Sequence, residues 1–187
     1  MDQNGDGQVN NSDRVILGNP YPDFFYGLST SLSYGNFSVR INIQGELGKQ
    51  IWNQNRYRFM ASFHRGANAV ADVVNRWTPE NPDPNAPYPR ASGTLNQQPS
   101  DWYIEDASYL RLQNLRINYN IPLNALNISG IRTASIYFSG QNLITFTGYS
   151  WYTPDVNTWA SGDLRIGVDR QSYPSARSLL FGLKVGF

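Results

Sequence analysis

The feature that most constrains this chain is an apolar/polar alternation with a period of two residues, clearest at the C-terminus. From Leu179 to Phe187 the odd positions are all apolar, and the even positions after Leu180 are small or charged. Such alternation is typical of a β-strand whose two faces meet different surroundings. Because chain termini are usually polar and frayed, an apolar terminal strand predicts that this segment is held in a sheet.

The same alternation recurs along the chain, and its first two segments predict a hairpin. Gly35-Asn36 fits a two-residue turn, which pairs Tyr34 with Phe37 and keeps both apolar faces in register. Together the alternating segments predict an all-β chain of antiparallel strands. The predicted strands cover about 24–34, 37–47, 109–121, 131–146 and 177–187.

One change of phase interrupts the third predicted strand. Leu110 and Leu112 occupy even positions, whereas the apolar residues from Leu115 to Ile121 occupy odd ones. An extra residue in one strand shifts its alternation by one position. The sequence therefore predicts a β-bulge near Asn114.

The connections between the predicted strands alternate between short and long. Gly35-Asn36 and residues 122–130 are short, while 48–108 and 147–176 are long loops with no strand pattern of their own. Short turns at one end and long loops at the other are typical of a transmembrane β-barrel. We therefore expect residues 1–23 to form an extracellular loop and 24–187 to carry barrel strands with long outer loops.

The strand faces fit two kinds of protein. A secreted soluble β-sandwich that binds carbohydrate, with a structural calcium ion, would bury the apolar face. A barrel would turn that face to lipid and the polar face to its lumen, with aromatic girdles near the strand ends: Tyr34, Tyr119 and Phe187 at one level, and Trp52, Tyr109 and Phe146 at the other. Polar residues in mid-strand favour the barrel. These candidate lumen residues are Arg40, Asn42, Gln44, Arg116 and Asn118.

The composition excludes several functions. With 15 basic and 14 acidic residues, the net charge of +1 gives no electrostatic reason to expect a nucleic-acid partner. There is no cysteine, and His64 is the single histidine, so thiolate chemistry and a two-histidine metal site are excluded. No constellation of catalytic residues is present, and we expect no enzyme activity.

The N-terminal segment "DQNGDGQVNNSD" matches the template of a calcium-binding loop. Short carboxylates and amides alternate there, with Gly7 at the position of the sharp turn. The candidate ligands are Asp2, Asn4, Asp6, Gln8 through its backbone carbonyl, and Asp13. The alternative is a loop whose side chains satisfy its own backbone as Asx-turns.

Four motifs in order carry a family resemblance: "DQNGDGQVNNSDR", "IEDASYLRLQNLRINYNIP", "FSGQNLITFTGY" and "GVDRQSYPSARSLLFGLKVGF". They resemble the C-terminal portion of SusC/RagA-type TonB-dependent outer-membrane transporters of Gram-negative bacteria. The resemblance implies a large plugged barrel in outer-membrane lipid that imports glycans or peptides. It also implies three partners: a SusD-like surface lipoprotein, TonB acting through a plug, and the barrel-assembly machinery, which would read Phe187 as an insertion signal.

Two departures from that family stand out. Thr153 precedes Pro154 where the family usually has an acidic residue. The family's plug and signal peptide are not seen in this sequence, so we expect either a fragment of a longer protein or a start codon assigned too far downstream. Several aromatic residues lie in or beside the long loops, where they would contact the lipoprotein or pack on one another. These are Trp102, Tyr103, Tyr149, Trp151, Tyr152 and Trp159.

Overall fold

A computed structural model describes residues 2–8, 10–61, 68–91, 99–126, 130–156 and 166–187. Its strands are β1 (Phe24–Tyr34), β2 (Phe37–Leu47), β3 (Gln50–Asn53), β4 (Ile104–Asp106), β5 (Tyr109–Asn120), β6 (Thr133–Thr147), β7 (Val168–Asp169) and β8 (Ser178–Gly186). Helical structure among these residues is limited to single turns. These are α1 (Gln54–Arg56), a π-helical turn (Tyr57–Ala61) and 3₁₀ turns at Asn11–Asp13, Ala71–Asn75, Asp101–Tyr103 and Leu123–Leu126.

Five strands form one antiparallel sheet, the main sheet, in the order β1-β2-β5-β6-β8. β1 and β2 have the bounds that alternation predicts, and Tyr34 pairs with Phe37 across a turn in which Gly35 has a φ of +54°. The long loops all leave the sheet at one end, where β1 begins and β2 ends. The short connections lie at the opposite end.

The change of phase in β5 is a bulge at Gln113. Asn42 pairs with Asn114, and the next residue, Ile43, pairs with Leu112. No residue of β2 therefore pairs with Gln113. The extra residue places Leu110 and Leu112 on the same face of the sheet as Leu115. The side-chain Oε1 of Gln113 accepts a hydrogen bond from Nε2 of Gln44 (3.3 Å).

The long loops contain a second, smaller sheet that the sequence pattern did not predict. Its order is β4-β3-β7, with β3 antiparallel to β4 and parallel to β7. The strands have two to four residues, too few for a period of two to be visible. We use the term loop module for the segments that surround it: 48–61, 101–108, 148–156 and 166–172.

Among the described residues, the cluster of buried hydrophobic side chains lies in the loop module and not on the main sheet. Ile51, Ala107, Tyr149 and Val156 are buried together, and Trp151 packs against them. By contrast, large side chains on the main sheet stay open, with Phe181 76% exposed. Within the described ranges no second sheet covers this apolar surface, so the structure does not have the β-sandwich architecture.

Candidate functional site

The polar face of the main sheet brings the five candidate lumen residues together. Residues directly opposite one another in neighbouring strands point to the same side of a sheet. One row across the strands contains Ser31, Arg40, Arg116 and Ser139, and the rows on either side of it contain Asn42 and Asn118. Gln44 lies one row further, opposite Arg111. All five candidates therefore share one face.

Positive charge predominates on this face. The five strands contain one acidic residue, Glu46, and four basic ones, Arg40, Arg111, Arg116 and Lys184. Glu46 forms an ion pair with Lys49 (3.1 Å), which follows β2. A groove of about 390 Å³ lies between β1, β2 and β5 and is lined by Arg40, Arg116, Asn118 and the serines at 31, 33 and 38.

The opposite face of the main sheet, the apolar face, is wide and uncovered. Phe37 packs on Tyr119 with ring centroids 4.5 Å apart, and Phe138 packs on Phe181 at 5.0 Å. Leu32 and Leu183 are 63% and 65% exposed. A continuous exposed apolar surface of this kind is typical of contact with lipid or protein.

The structure corrects one of the two predicted aromatic girdles. Tyr109 lies on the polar face and is buried, because the bulge at Gln113 reverses the phase of the start of β5. Trp52 belongs to the small sheet and stacks on Tyr103. Of the residues predicted at this level, Phe146 is the one exposed on the apolar face.

Arg111 joins the polar face to the loop that follows β6. Its guanidinium donates to both carboxylate oxygens of Asp155 (2.5 and 3.0 Å) and to the hydroxyls of Thr145 and Thr153. The Arg111 side chain is buried, and its guanidinium lies 5.0 Å from the centre of the Tyr109 ring. Sequence analysis missed this contact, because nothing local links a strand arginine to an acidic residue so far along the chain.

The contact sets the ionisation of Asp155. Burial by itself raises the pKa of the Asp155 carboxyl, but the hydrogen bonds from Arg111 and Thr153 outweigh it and hold the pKa below its ordinary value. Thr153 also donates its hydroxyl proton to Asp155. The threonine that departs from the family pattern is thus part of the Arg111 contact, and the acidic group lies two residues later.

A second polar network holds the loop module together around Glu105. Its carboxylate accepts hydrogen bonds from Asn53 (2.8 Å) and from the hydroxyl and backbone N–H of Ser150 (2.9 Å each). Nearby, the hydroxyl of Tyr149 donates to Asp169 (2.6 Å). Burial, and then this hydrogen bond, raise the pKa of Tyr149. The network links segments far apart in sequence and holds the segments of the loop module to one another.

The candidate calcium loop is closed by hydrogen bonds of its own. Asp2 accepts from the N–H groups of Gly5 (2.7 Å) and Gly7 (2.8 Å), and Asp6 accepts from Gln8 (2.8 Å). Asp13 accepts from Gln3 and Asn10, and Asn4 accepts from Asp6. The hydrogen bond from Gly7 is the main reason that the pKa of Asp2 is lowered. Carboxylates held ionised in a turn suit calcium, but these are satisfied by backbone N–H groups, so calcium binding stays a prediction.

The loop aromatics divide into buried and exposed residues. Tyr103 and Tyr149 are buried, and Trp102 lies under the guanidinium of Arg56, 4.5 Å from the ring centre. Trp151 stacks on Phe59, whereas Tyr152 is 69% exposed. Packing within the loops therefore accounts for most of these rings. Trp159, like His64, lies outside the described residues.

No metal centre or membrane helix is found in the part of the chain that the structure describes. Within it, no three His, Cys, Asp or Glu side chains are arranged to hold a metal ion. No helix there is long and apolar enough to cross a membrane. Phe187, directly after β8, is 82% exposed.

The sequence of this chain is similar to those of several known proteins, although no protein-family model matches it. TonB-dependent receptor P3 of Formosa agariphila is 36% identical over 190 residues, covering 100% of this chain and 18% of the relative. TonB-dependent receptor P26 of the same species is 33% identical over 193 aligned positions, with 100% and 19% coverage. SusC of Bacteroides thetaiotaomicron is 24% identical over 189 positions, covering 100% of this chain and 17% of SusC. The chain thus spans less than a fifth of the length of these curated relatives.

Structural comparison gives the same result for the fold. The RagAB peptide importer in its closed-closed state matches 97% of this chain and 20% of its own, with a TM-score of 0.75 and 22% identity. Another structure of the RagAB peptide transporter matches 92% of this chain and 18% of its own, with a TM-score of 0.72 and 24% identity. The main sheet is therefore a section of a large β-barrel. This chain belongs to the TonB-dependent receptors of the SusC and RagA type.

Proposed function

We propose that this chain forms part of the wall and outer loops of a TonB-dependent importer of glycans or peptides in the outer membrane of a Gram-negative bacterium. The observation that carries the proposal is the two-sided main sheet. Its apolar face is uncovered, and its polar face carries arginines and amides. A barrel wall needs this arrangement, since one side meets lipid and the other a polar lumen.

In this proposal the polar face supplies the inner surface of the barrel. Arg40, Asn42, Gln44, Arg116 and Asn118 offer hydrogen-bond donors to the carbonyl, hydroxyl or carboxylate groups of a passing ligand. The apolar face contacts outer-membrane lipid. Because Arg111 and Glu105 fix the loops by several hydrogen bonds each, the loop module forms a rigid outer mouth.

The proposed partners act at different parts of the protein. A SusD-like surface lipoprotein covers the loop module from outside, and the exposed Tyr152 is available to contact it. TonB pulls on the plug of the intact transporter. The barrel-assembly machinery reads Phe187 at the end of β8. Support for these partners comes from the family to which the chain belongs.

The test is uptake by the intact transporter that contains this chain, expressed in a strain from which it has been deleted. We expect the protein in the outer-membrane fraction and uptake of peptides or oligosaccharides that stops when TonB is absent. The variant Phe187→Ser should lower the amount of inserted barrel, whereas Tyr173→Ser, at another exposed aromatic residue, should not. A protein that is monodisperse without detergent, or uptake that is independent of TonB, would contradict the proposal.

A further inference from the structure

The row that contains Arg40 and Arg116 has an unusual combination of charges. The two residues are directly opposite one another on β2 and β5, which places their Cβ atoms about 5 Å apart. Like charges in this position repel one another and destabilise a sheet. None of the ion pairs formed among the described residues involves either arginine. The pair therefore has a cost in stability, because Glu46, the acidic residue of the five strands, lies further along β2 and is paired with Lys49.

Both guanidinium groups are nevertheless held in place. Arg40 donates from Nε to the hydroxyl of Ser31 (3.2 Å). The guanidinium of Arg116 lies 4.8 Å from the centre of the Tyr137 ring. That ring lies over Gly182, its partner on β8, where a Cβ atom would come within 2.3 Å of the ring carbon Cζ. Arg116 thus packs on the ring of Tyr137, and the position of that ring requires a glycine at 182.

We propose that Arg40 and Arg116 form a carboxylate-binding site on the polar face, and that its ligand is an acidic peptide. This rests on the proposed function, because it places the ligand in the lumen. Two adjacent guanidinium groups can bind carboxylates with paired, charge-assisted hydrogen bonds. Asn118 and the serines at 31, 33 and 38 complete a groove of about 390 Å³ that is rich in donors.

The choice of a peptide over an acidic glycan follows from the aromatic residue beside the groove. Proteins that bind sugars commonly stack a sugar ring on an open aromatic face. Tyr137 is the aromatic residue next to Arg116 on the polar face, and its ring contacts the Arg116 guanidinium and closely approaches the Cβ position of Gly182. With that ring occupied, the groove retains charge and hydrogen-bond donors, which suit acidic side chains and peptide carbonyls.

The test measures peptide binding to the purified intact transporter in detergent by fluorescence anisotropy. The probes are a labelled hexapeptide of alternating serine and glutamate and its counterpart with glutamine in place of glutamate. The variants are Arg40→Gln with Arg116→Gln, the matched pair Arg40→Lys with Arg116→Lys, and Arg14→Gln as a control at an exposed arginine outside the main sheet.

We expect the double glutamine variant to bind the acidic hexapeptide about tenfold more weakly, since two exposed charge pairs with the peptide are lost. Its affinity for the glutamine hexapeptide should not change. The double lysine variant should recover part of the loss, and Arg14→Gln should behave as wild type. Wild-type affinity for the acidic probe should fall as salt is raised.

Other results would overturn the site, and they are distinct from failure of the proposed function. If wild type binds both hexapeptides and the double glutamine variant changes neither, the carboxylate site is wrong while import stands. If an oligogalacturonate of equal charge binds wild type as tightly as the acidic hexapeptide does, and its affinity falls as much in the double glutamine variant, the assignment to peptides is wrong. If no peptide or oligosaccharide is bound or taken up by wild type, the proposed function itself fails.

Discussion

The guanidinium of Arg111, on the polar face of the main sheet, binds both carboxylate oxygens of Asp155, which lies 44 positions later in the sequence. Arg111 is 3% exposed, whereas the side chain of Asp155 is 28% exposed, so it is the guanidinium end of this ion pair that is shielded from water. It ties the loop after β6 to the wall of the sheet. The first two predictions concern this contact.

Asp155→Asn should release the loop without unfolding the sheet. The change leaves a buried guanidinium without its anion, which costs about 1–3 kcal/mol locally. Hydrogen exchange in the intact transporter should increase in residues 148–156 and stay unchanged in β1 and β2. Glu80→Gln, at an exposed carboxylate, is the control. Equal exchange in both variants would mean that Arg111 does not hold the loop.

The same contact should weaken in acid. The pKa of Asp155 in the folded protein lies below its ordinary value of 3.8, so its contribution to stability is complete above that value. The contribution is lost as the pH falls through the lowered pKa. Pepsin should therefore cut residues 148–156 faster at about pH 2 than at about pH 4. In the Asp155→Asn variant, the rate of cleavage should change with pH only as much as the activity of pepsin itself changes. If the wild-type protein showed the same pH dependence as this variant, the prediction would be refuted.

Gly182→Ala should destabilise the barrel wall. A Cβ atom at this position would lie 2.3 Å from Cζ of Tyr137, so the ring and the Arg116 guanidinium above it must move. Such overpacking costs about 1–3 kcal/mol. The measurement is the unfolding temperature of the intact transporter in detergent, read from its heat-modified migration on gels. Gly148→Ala is the matched control, because no atom lies within 4 Å of its added Cβ.

Charge should be tolerated on one face of β1 and not on the other. Leu28 and Ser29 are adjacent in sequence and lie on the apolar and polar faces of the sheet. In a lipid-facing position Leu28→Arg should cost about 2–4 kcal/mol and lower the yield of folded barrel. Ser29→Arg should have little effect on the urea midpoint of unfolding in lipid vesicles. A similar loss in both variants would argue against lipid contact at Leu28.

The N-terminal loop provides the calcium test. The candidate calcium ligands are Asp2, Asn4, Asp6, Gln8 and Asp13. If they bind the ion, the unfolding temperature of the loop should rise in proportion to the logarithm of the calcium concentration. The affinity expected for an extracellular calcium module is about 10⁻⁴–10⁻³ M. Asp2→Asn should abolish the shift, and Asp83→Asn, outside the loop, should keep it. No shift with millimolar calcium would favour the closed set of Asx-turns seen in the structure.

Sequence periodicity predicted the parts of this fold that repeat. The segments of β1, β2, β5, β6 and β8 are long enough for a period of two to appear, and the misplaced phase of Leu110 and Leu112 was enough to predict a bulge. The five candidate lumen residues share one face because register follows directly from that period. Their position in a lumen remains a proposal.

The parts that sequence reasoning missed are long-range. Trp52 pairs with Val168 in a parallel bridge between segments with no periodicity, so neither segment predicts the other. Arg111 could have been singled out as a charge on a strand that the bulge turns to the polar face. Its partner Asp155 could not, because only the folded loop places that carboxylate beside the strand.

The bulge at Gln113 has a consequence for how this wall can change through evolution. Before it, the even-numbered residues lie on the apolar face, and after it the odd-numbered residues do. Replacing Gln113 would leave both faces as they are. Removing it would make Leu112 and Asn114 consecutive, so that Arg111 would stay on the polar face and Leu110 and Leu112 on the apolar face. The strand can therefore lose this residue, as well as exchange it for another, without reversing its two faces.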